Sequence, residues 1–389
     1  MKTSIATVCL SGTLEEKMQA CAAAGFDGIE IFESDLVVSP SSPAEIRALA
    51  DRLGLTLDLY QPFRDLEGVS DELFAKNLQR LEAKFQLMQE LGMDLILVPS
   101  NAGTATVSDD TIIADQLRQA AQLAQRYDMR IAYEALAWGR YVNTYWHSWQ
   151  LVQAADHPNL GVCLDSFHIF SRADDPSRIP EIPAEKIYFV QLADAQDLGM
   201  DLLPWSRHHR VFPGEGSFDM VEFMTYLTEA GYTGPLSLEI FNDVFRETDT
   251  NITAADGLRS LRWIQQGARG RITPDNPVRE HLTAMPKIEP VEVIDHLEIS
   301  TDSPDECGAL LGALGFKFIG QHRRKSVQLF VAGGVKVVLS PNVRGGTYIS
   351  SVALQVTDSN DALARARALG APVVSRPVTA DEVRLPGVY

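Results

Sequence analysis

Four residues that offer oxygen ligands close four successive apolar runs of the sequence: Glu134 ends IAYE, Asp165 ends GVCLD, Gln191 ends IYFVQ and Glu239 ends LSLE. If those runs are neighbouring strands of one sheet, three carboxylates and an amide converge. Carboxylates brought together without a counter-ion repel and raise one another's pKa, whereas a divalent cation neutralises them and accepts all four oxygens. With no imidazole or thiolate at the four positions, the set suits Mg²⁺ or Mn²⁺ better than Zn²⁺, and Co²⁺ would substitute in vitro. Taken singly, each acid could instead cap the following helix or pair with a nearby arginine; four on consecutive strands argue for the ion.

Three residues beyond Asp165, His168 is placed to act as acid or base on whatever such a cation binds. Tyr60 and Arg64 in LDLYQPFRD, and Ser206 and Arg210 in PWSRHHR, add donors that suit an anionic substrate. Arginine grips a carboxylate through a planar two-point fork, so the expected ligand is a small carboxylic acid. A cation that polarises a carbonyl, beside a base that takes the neighbouring proton, amounts to enolate chemistry.

Holding these residues together requires a repeating scaffold. Short β-type runs alternate with amphipathic helical stretches through the first 270 residues, the pattern of parallel strands joined by helices. Eight strands are read, at 4–9, 28–32, 55–60, 95–99, 130–134, 161–165, 187–191 and 236–240, and several intervening helices end on glycine. That count and length predict a (β/α)₈ TIM barrel over 1–270, whose active site lies at the C-terminal ends of the strands. The full 389 residues exceed what one core usually serves. A proline-rich linker is read at 271–291. After it, 292–389 is expected to form an α+β domain of β-α-β-β-β order, with a second repeat left incomplete.

Several other features carry less weight. His208 and His209 are adjacent and read as solvated; the aromatic stretch AWGRYVNTYWHSWQ after the fifth strand could wall the pocket, although packing explains Trp146 and Trp149 equally well; and Glu30 and Glu33 read as ion-pair partners, although one of the two could face the barrel mouth. FPGEGSF and GGVKVV hold glycines without the spacing of a phosphate-binding loop. The four cysteines form no CxxC pair and are expected to be reduced and inert. A formal charge of −18 opposes nucleic acid and anionic lipid as partners. No apolar run approaches the roughly 18 residues of a membrane helix, and no secretory signal is evident, so a cytoplasmic protein is expected. Homo-oligomerisation is left open.

The motifs GIEIF, LDLYQPFRD, IAYEAL, LDSFH, FVQLAD, PGEGSFD and LSLEIF resemble the sugar-phosphate isomerase/epimerase superfamily of xylose isomerase-like barrels. The region 292–389 resembles the vicinal oxygen chelate fold of the 4-hydroxyphenylpyruvate dioxygenase type. A barrel fused to such a tail is similar to the bacterial 3-dehydroshikimate dehydratases, which implies conversion of 3-dehydroshikimate to protocatechuate in quinate and shikimate catabolism. The same resemblance implies Glu134, Asp165, Gln191 and Glu239 as metal ligands, with Tyr60, Arg64, His168, Ser206 and Arg210 around the substrate. There are departures. Many relatives carry His where Gln191 stands, and siderophore-pathway relatives carry a His and a Lys where this chain has Leu136 and Ala193, which leaves His168 as the base. His296 matches a ligand position of the dioxygenase-type modules, but VKVVLSPN offers no Glu and the repeat has Ala353, so no dioxygenase activity is expected. The rival readings are a metal-dependent ketose epimerase or isomerase and a non-catalytic ligand-binding scaffold.

Overall fold

In a computed structural model the apolar runs of the first 240 residues become eight parallel strands: β1 Thr3–Ala6, β2 Gly28–Phe32, β3 Thr56–Gln61, β4 Leu95–Pro99, β5 Arg130–Glu134, β6 Leu160–Asp165, β7 Ile187–Leu192 and β8 Leu236–Leu238. Each pairs with the next, and β8 pairs with β1 to close a barrel. The structure describes residues 1–342, 345–375, 378, 382 and 385–389. The first and last strands are shorter than their apolar runs for a local reason. After Ala6 the chain tightens into a single 3-10 turn, Thr7–Cys9, and the Cys9 sulfur accepts the Ile240 N–H at 3.0 Å, drawing both segments out of the ladder.

The helices begin and end where side-chain chemistry dictates. Thr13 with Glu16, and Ser42 with Glu45, form reciprocal capping boxes at the starts of Leu14–Ala24 and Pro43–Leu53. Gly25, at φ +98°, closes the first of these in a left-handed conformation that a side chain would disfavour.

Successive side chains of a strand point to opposite faces, and this alternation sorts the site residues. Leu59, Leu95, Leu97, Ala132, Cys163 and Phe189 form one buried cluster, facing the barrel axis. Their alternates Tyr60, Ile96, Tyr133, Leu164 and Val190 belong to the main core between barrel and helices. Two positions on from the axis-facing set stand Gln61, Glu134, Asp165 and Gln191, all buried. Strands β3, β5, β6 and β7 therefore deliver them to the C-terminal mouth.

One buried acid holds the loops at that end. Glu67, after β3, accepts hydrogen bonds from the Asn101 N–H at 2.7 Å and the Tyr133 hydroxyl at 3.0 Å, while its Oε2 has no partner among the described residues. Burial pushes its carboxyl up to about 7, despite those bonds. A carboxyl raised in the folded state contributes stability that is fully present below its unfolded pKa and lost as pH rises through the folded value. Glu67→Gln should therefore match wild type in the unfolding free energy from urea titrations near pH 4.5 and exceed it progressively up to pH 8, by about 3 kcal/mol at most. A difference independent of pH would refute the buried charge as its origin.

The chain divides into two compact units, Met1–Ala284 and Met285–Tyr389. The barrel unit runs past the boundary read from the sequence because Val278 and Leu282, in the stretch read as a linker, are both buried. In the second unit β9 Val293–Thr301, helix Pro304–Ala313, β10 Lys317–Gln321, β11 Gln328–Ala332 and β12 Val335–Pro341 give the β-α-β-β-β order, followed by β13 Thr347–Gln355 and helix Ser359–Ala368. Its sheet runs β10-β11-β12-β9-β13 over a small core of Leu311, Phe330, Val337 and Leu339. The incomplete second repeat extends into 371–378, of which positions 376 and 377 lie outside the described residues; Val373 forms an isolated bridge with Val388. Among the described residues no helix is long and apolar enough to cross a membrane.

Candidate metal and active site

Glu134, Asp165 and His168 bring one ligand atom each to within 4.8 Å of one another, and all three are buried. Asp165 does two further things. Its Oδ1 caps the short helix Ser166–Phe170, accepting from the Phe167 N–H at 2.7 Å, and its Oδ2 accepts from Arg210 Nη1 at 2.8 Å. The same Nη1 donates to Glu239 Oε2 at 2.9 Å, so Arg210 bridges two of the acids. Glu134 Oε1 is buried with no hydrogen-bond partner among the described residues. Burial, reinforced by Asp165 and Glu239, holds the Glu134 carboxyl well above the usual carboxylate range, and burial raises that of Glu239 too.

Gln191 is held by two hydrogen bonds. Its Nε2 donates to Glu30 Oε2 at 2.7 Å and its Oε1 accepts from Cys163 Sγ at 3.5 Å. Glu30, fully buried, also accepts from Gln61 Nε2 at 2.8 Å and from the Ser237 hydroxyl. Glu30 is therefore the acid of the GIEIF segment that points into the barrel, while Glu33 pairs with Lys84 and accepts the Tyr60 hydroxyl at 2.9 Å.

The substrate donors expected from the sequence separate in the structure. Tyr60, on the outer face of β3, does not line the cavity; the strand's axis-facing neighbour Gln61 does. Ser206 is buried and its hydroxyl accepts from Arg210 Nη2 at 2.8 Å, so it holds the arginine and does not reach the opening. Arg210 is fully engaged by Asp165, Glu239 and Ser206, although its edge still borders the cavity. Arg64 does line it, together with Trp138 from the aromatic stretch 137–150, and with Arg207 and Phe241, which sequence reasoning passed over. For Gln61 the period-two alternation was signal enough; for Arg207, in a short helix, there was none.

The PGEG segment positions Arg210. Asp194 accepts the backbone N–H groups of Gly214, Gly216 and Phe218 at 3.0, 3.0 and 3.1 Å. A Cβ on Gly216 would lie 2.1 Å from the Asp194 carboxylate, so only glycine fits there. His208 is exposed and pairs with Asp243, and His209 is exposed.

His168 sits with Nδ1 accepting the Ala137 N–H at 3.3 Å and Nε2 at 3.3 Å from Arg210 Nη2, under the ring of Trp138 at 5.1 Å. A protonated ring would set N–H against N–H on both sides. Burial, followed by the charge of Arg210, accordingly depresses its pKa well below the ordinary histidine value. The imidazole is neutral, the form a base requires.

Three buried carboxyl groups face one fully buried guanidinium, which makes ionisation of all three costly, and one Glu134 oxygen has no partner among the described residues. A divalent cation with hard oxygen donors fits both features. Glu134, Asp165 and His168 can supply its first contacts, with Glu239 alongside through Arg210.

A family model for the xylose isomerase-like TIM barrel matches residues 18–266. The chain is 47% identical over 403 aligned residues to a 3-dehydroshikimate dehydratase of Pseudomonas putida, a match covering 100% of this chain and 63% of that protein. It is thus shorter than two thirds of this curated relative. A 3-dehydroshikimate dehydratase of Neurospora crassa is 30% identical over 345 residues, covering 72% of this chain and 95% of the relative. Among solved structures, a xylose isomerase-like TIM barrel/4-hydroxyphenylpyruvate dioxygenase fusion protein aligns with a TM-score of 0.90 at 46% identity, covering 100% of this chain and 64% of that one. On the closed barrel, the span of the family model and these relatives, the chain belongs to the xylose isomerase-like TIM barrel family.

Proposed function

We propose that the barrel dehydrates 3-dehydroshikimate to protocatechuate, as part of quinate and shikimate catabolism in the cytoplasm. The observation that carries this reading is the partly neutralised acid cluster of Glu134, Asp165 and Glu239 beside a neutral His168. The names of the two relatives support the substrate. Held by Glu134, Asp165, Glu239 and the amide of Gln191, Mg²⁺ or Mn²⁺ would polarise the ketone and adjacent hydroxyl of the substrate and make the C–H of the hydroxyl-bearing carbon, α to the ketone, acidic.

The chain's own groups do the rest. His168 takes that proton at Nε2 in its Nδ1–H tautomer, which gives up the contact with the Ala137 N–H, and, as imidazolium, has Glu134 and Asp165 oxygens 3.9 and 3.6 Å away to offset its charge. The electron pair left on carbon expels the hydroxyl one carbon further along the ring, which departs as water with a proton returned by His168. Transfer of one ring proton to the ketone oxygen then yields the aromatic diol, so the balance is substrate to product plus water. Arg210 keeps the Asp165 and Glu239 carboxylates in place throughout, and Trp138 and Phe241 wall the cavity against solvent.

Cation-loaded protein given 3-dehydroshikimate should develop the ultraviolet absorbance of a catechol. Treatment with a chelator should reduce the rate to about 1% or less, and Mg²⁺ or Mn²⁺ should restore it. Epimerisation of a ketose with no catechol formed would overturn the dehydratase reading, and full activity after exhaustive chelation would overturn the cation.

A further inference from the structure

We propose that Arg207, facing the same cavity as Arg64, receives the carboxylate of the substrate and so makes a ring-bound anion a requirement for binding. The inference rests on the dehydratase reading only for the identity of that ring acid.

Arg210, the natural candidate, is already engaged: Nη1 spans Asp165 and Glu239, and Nε and Nη2 meet Ser206. Arg207, from the helix Leu202–His208, is in a different situation. No hydrogen bond or ion pair engages its guanidinium, or that of Arg64, among the described residues. Aromatic rings hold Arg207 instead, with its Cζ 4.6 Å from the centroid of Phe241 and 5.6 Å from that of Trp138. Stacking on an aromatic face positions a guanidinium without using its in-plane N–H donors, which stay available to a planar, two-oxygen acceptor.

The charge balance points the same way. Arg207 and Arg64 line one partly closed cavity, and burial, with repulsion from Arg64, brings the Arg207 pKa down to about 10. A carboxylate bound between them would relieve that repulsion and restore the solvation lost by burial. It would also orient the ring, because Glu134, Glu239 and His168 line the same cavity. The oxygen-rich end of a substrate would then face the acids while its carboxylate faces the arginines.

The test compares protocatechuate with catechol, which lacks only the carboxylate, by quenching of tryptophan fluorescence in the full chain loaded with Mn²⁺ or Mg²⁺. Wild type should bind protocatechuate about tenfold or more tightly than catechol. Arg207→Gln should bring that ratio close to one while leaving catechol affinity unchanged, and Arg207→Lys should recover part of it. The unchanged catechol affinity reports an intact pocket. In turnover, Arg207→Gln should raise KM for 3-dehydroshikimate about tenfold with a much smaller change in kcat. A wild type with no preference, a preference surviving in Arg207→Gln, or equal loss of both ligands in that variant would each overturn the proposal. If wild type shows the preference and the variant loses it but neither dehydrates 3-dehydroshikimate, the anion site stands and the reaction assigned to it falls.

Discussion

Replacing Glu134 by glutamine is expected to lower the turnover of 3-dehydroshikimate by about three orders of magnitude or more while leaving the chelated protein at least as stable as wild type. The two effects have opposite sign because they arise from different states of the site. Without a cation, ionising the Glu134 carboxyl is disfavoured by its burial beside Asp165 and Glu239, and one of its oxygens has no partner among the described residues. Glutamine, always neutral, removes that cost from the folded protein. With a cation, the same oxygen would become a ligand that glutamine, neutral and weaker, would not replace. Thermal melts check this directly. Added Mg²⁺ or Mn²⁺ at about a hundred times its dissociation constant should stabilise wild type by about 2.7 kcal/mol and the variant far less. A variant that keeps its activity within a few-fold, or gains as much stability from the ion as wild type does, would remove Glu134 from the ligand set.

The path from sequence to this site was open where a regular period applied and closed where it did not. Each acid ends an apolar strand, and the strand period places Glu134 two residues after Ala132 and Asp165 two after Cys163, so barrel geometry alone brings them to one mouth. The same period, applied to LDLYQ, separates Gln61 from Tyr60: with Leu59 on the axis, Gln61 must join it and Tyr60 must face the helices, where its hydroxyl meets Glu33. Glu30 was open to the same reasoning, standing mid-strand between Ile29 and Ile31, both in the outer core. Ser206, Arg207 and Arg210 follow no such rule. They lie on a seven-residue helix and the strand just after it, whose orientation depends on Asp194 gathering the PGEG backbone, a contact between segments about 20 residues apart. Local pattern carries no record of such a tertiary contact. The sequence reading gave the anion to Arg64 and Arg210, and the hydrogen bonds of Arg210 turn the choice of the second arginine toward Arg207.

The structure leaves His168 near enough to Glu134 and Asp165 to serve either as a base or as a ligand, and His168→Asn separates the two roles. Asparagine can present Oδ1 where Nδ1 stands, keeping the acceptor for the Ala137 N–H, but has nothing at the position of Nε2. If Nε2 accepts the substrate proton, kcat should fall by about 10²–10⁴, while the cation affinity, read from the metal-induced shift in melting temperature, stays within about threefold. If Nε2 instead binds the ion, affinity must fall in step with kcat. The flanking groups favour the first outcome. Nε2 lies 3.3 Å from Arg210 Nη2, a cation already bound to Asp165 and Glu239, and a second positive centre on the same nitrogen would have to displace it. Accepting a proton from substrate adds charge only transiently and within reach of two carboxylates. A deuterium label at the acidic carbon gives an independent readout, since exchange with solvent should slow in the variant by the same factor as dehydration. Dehydration lost with exchange intact would leave His168 the acid that assists departure of the hydroxyl and assign the first proton transfer to another group.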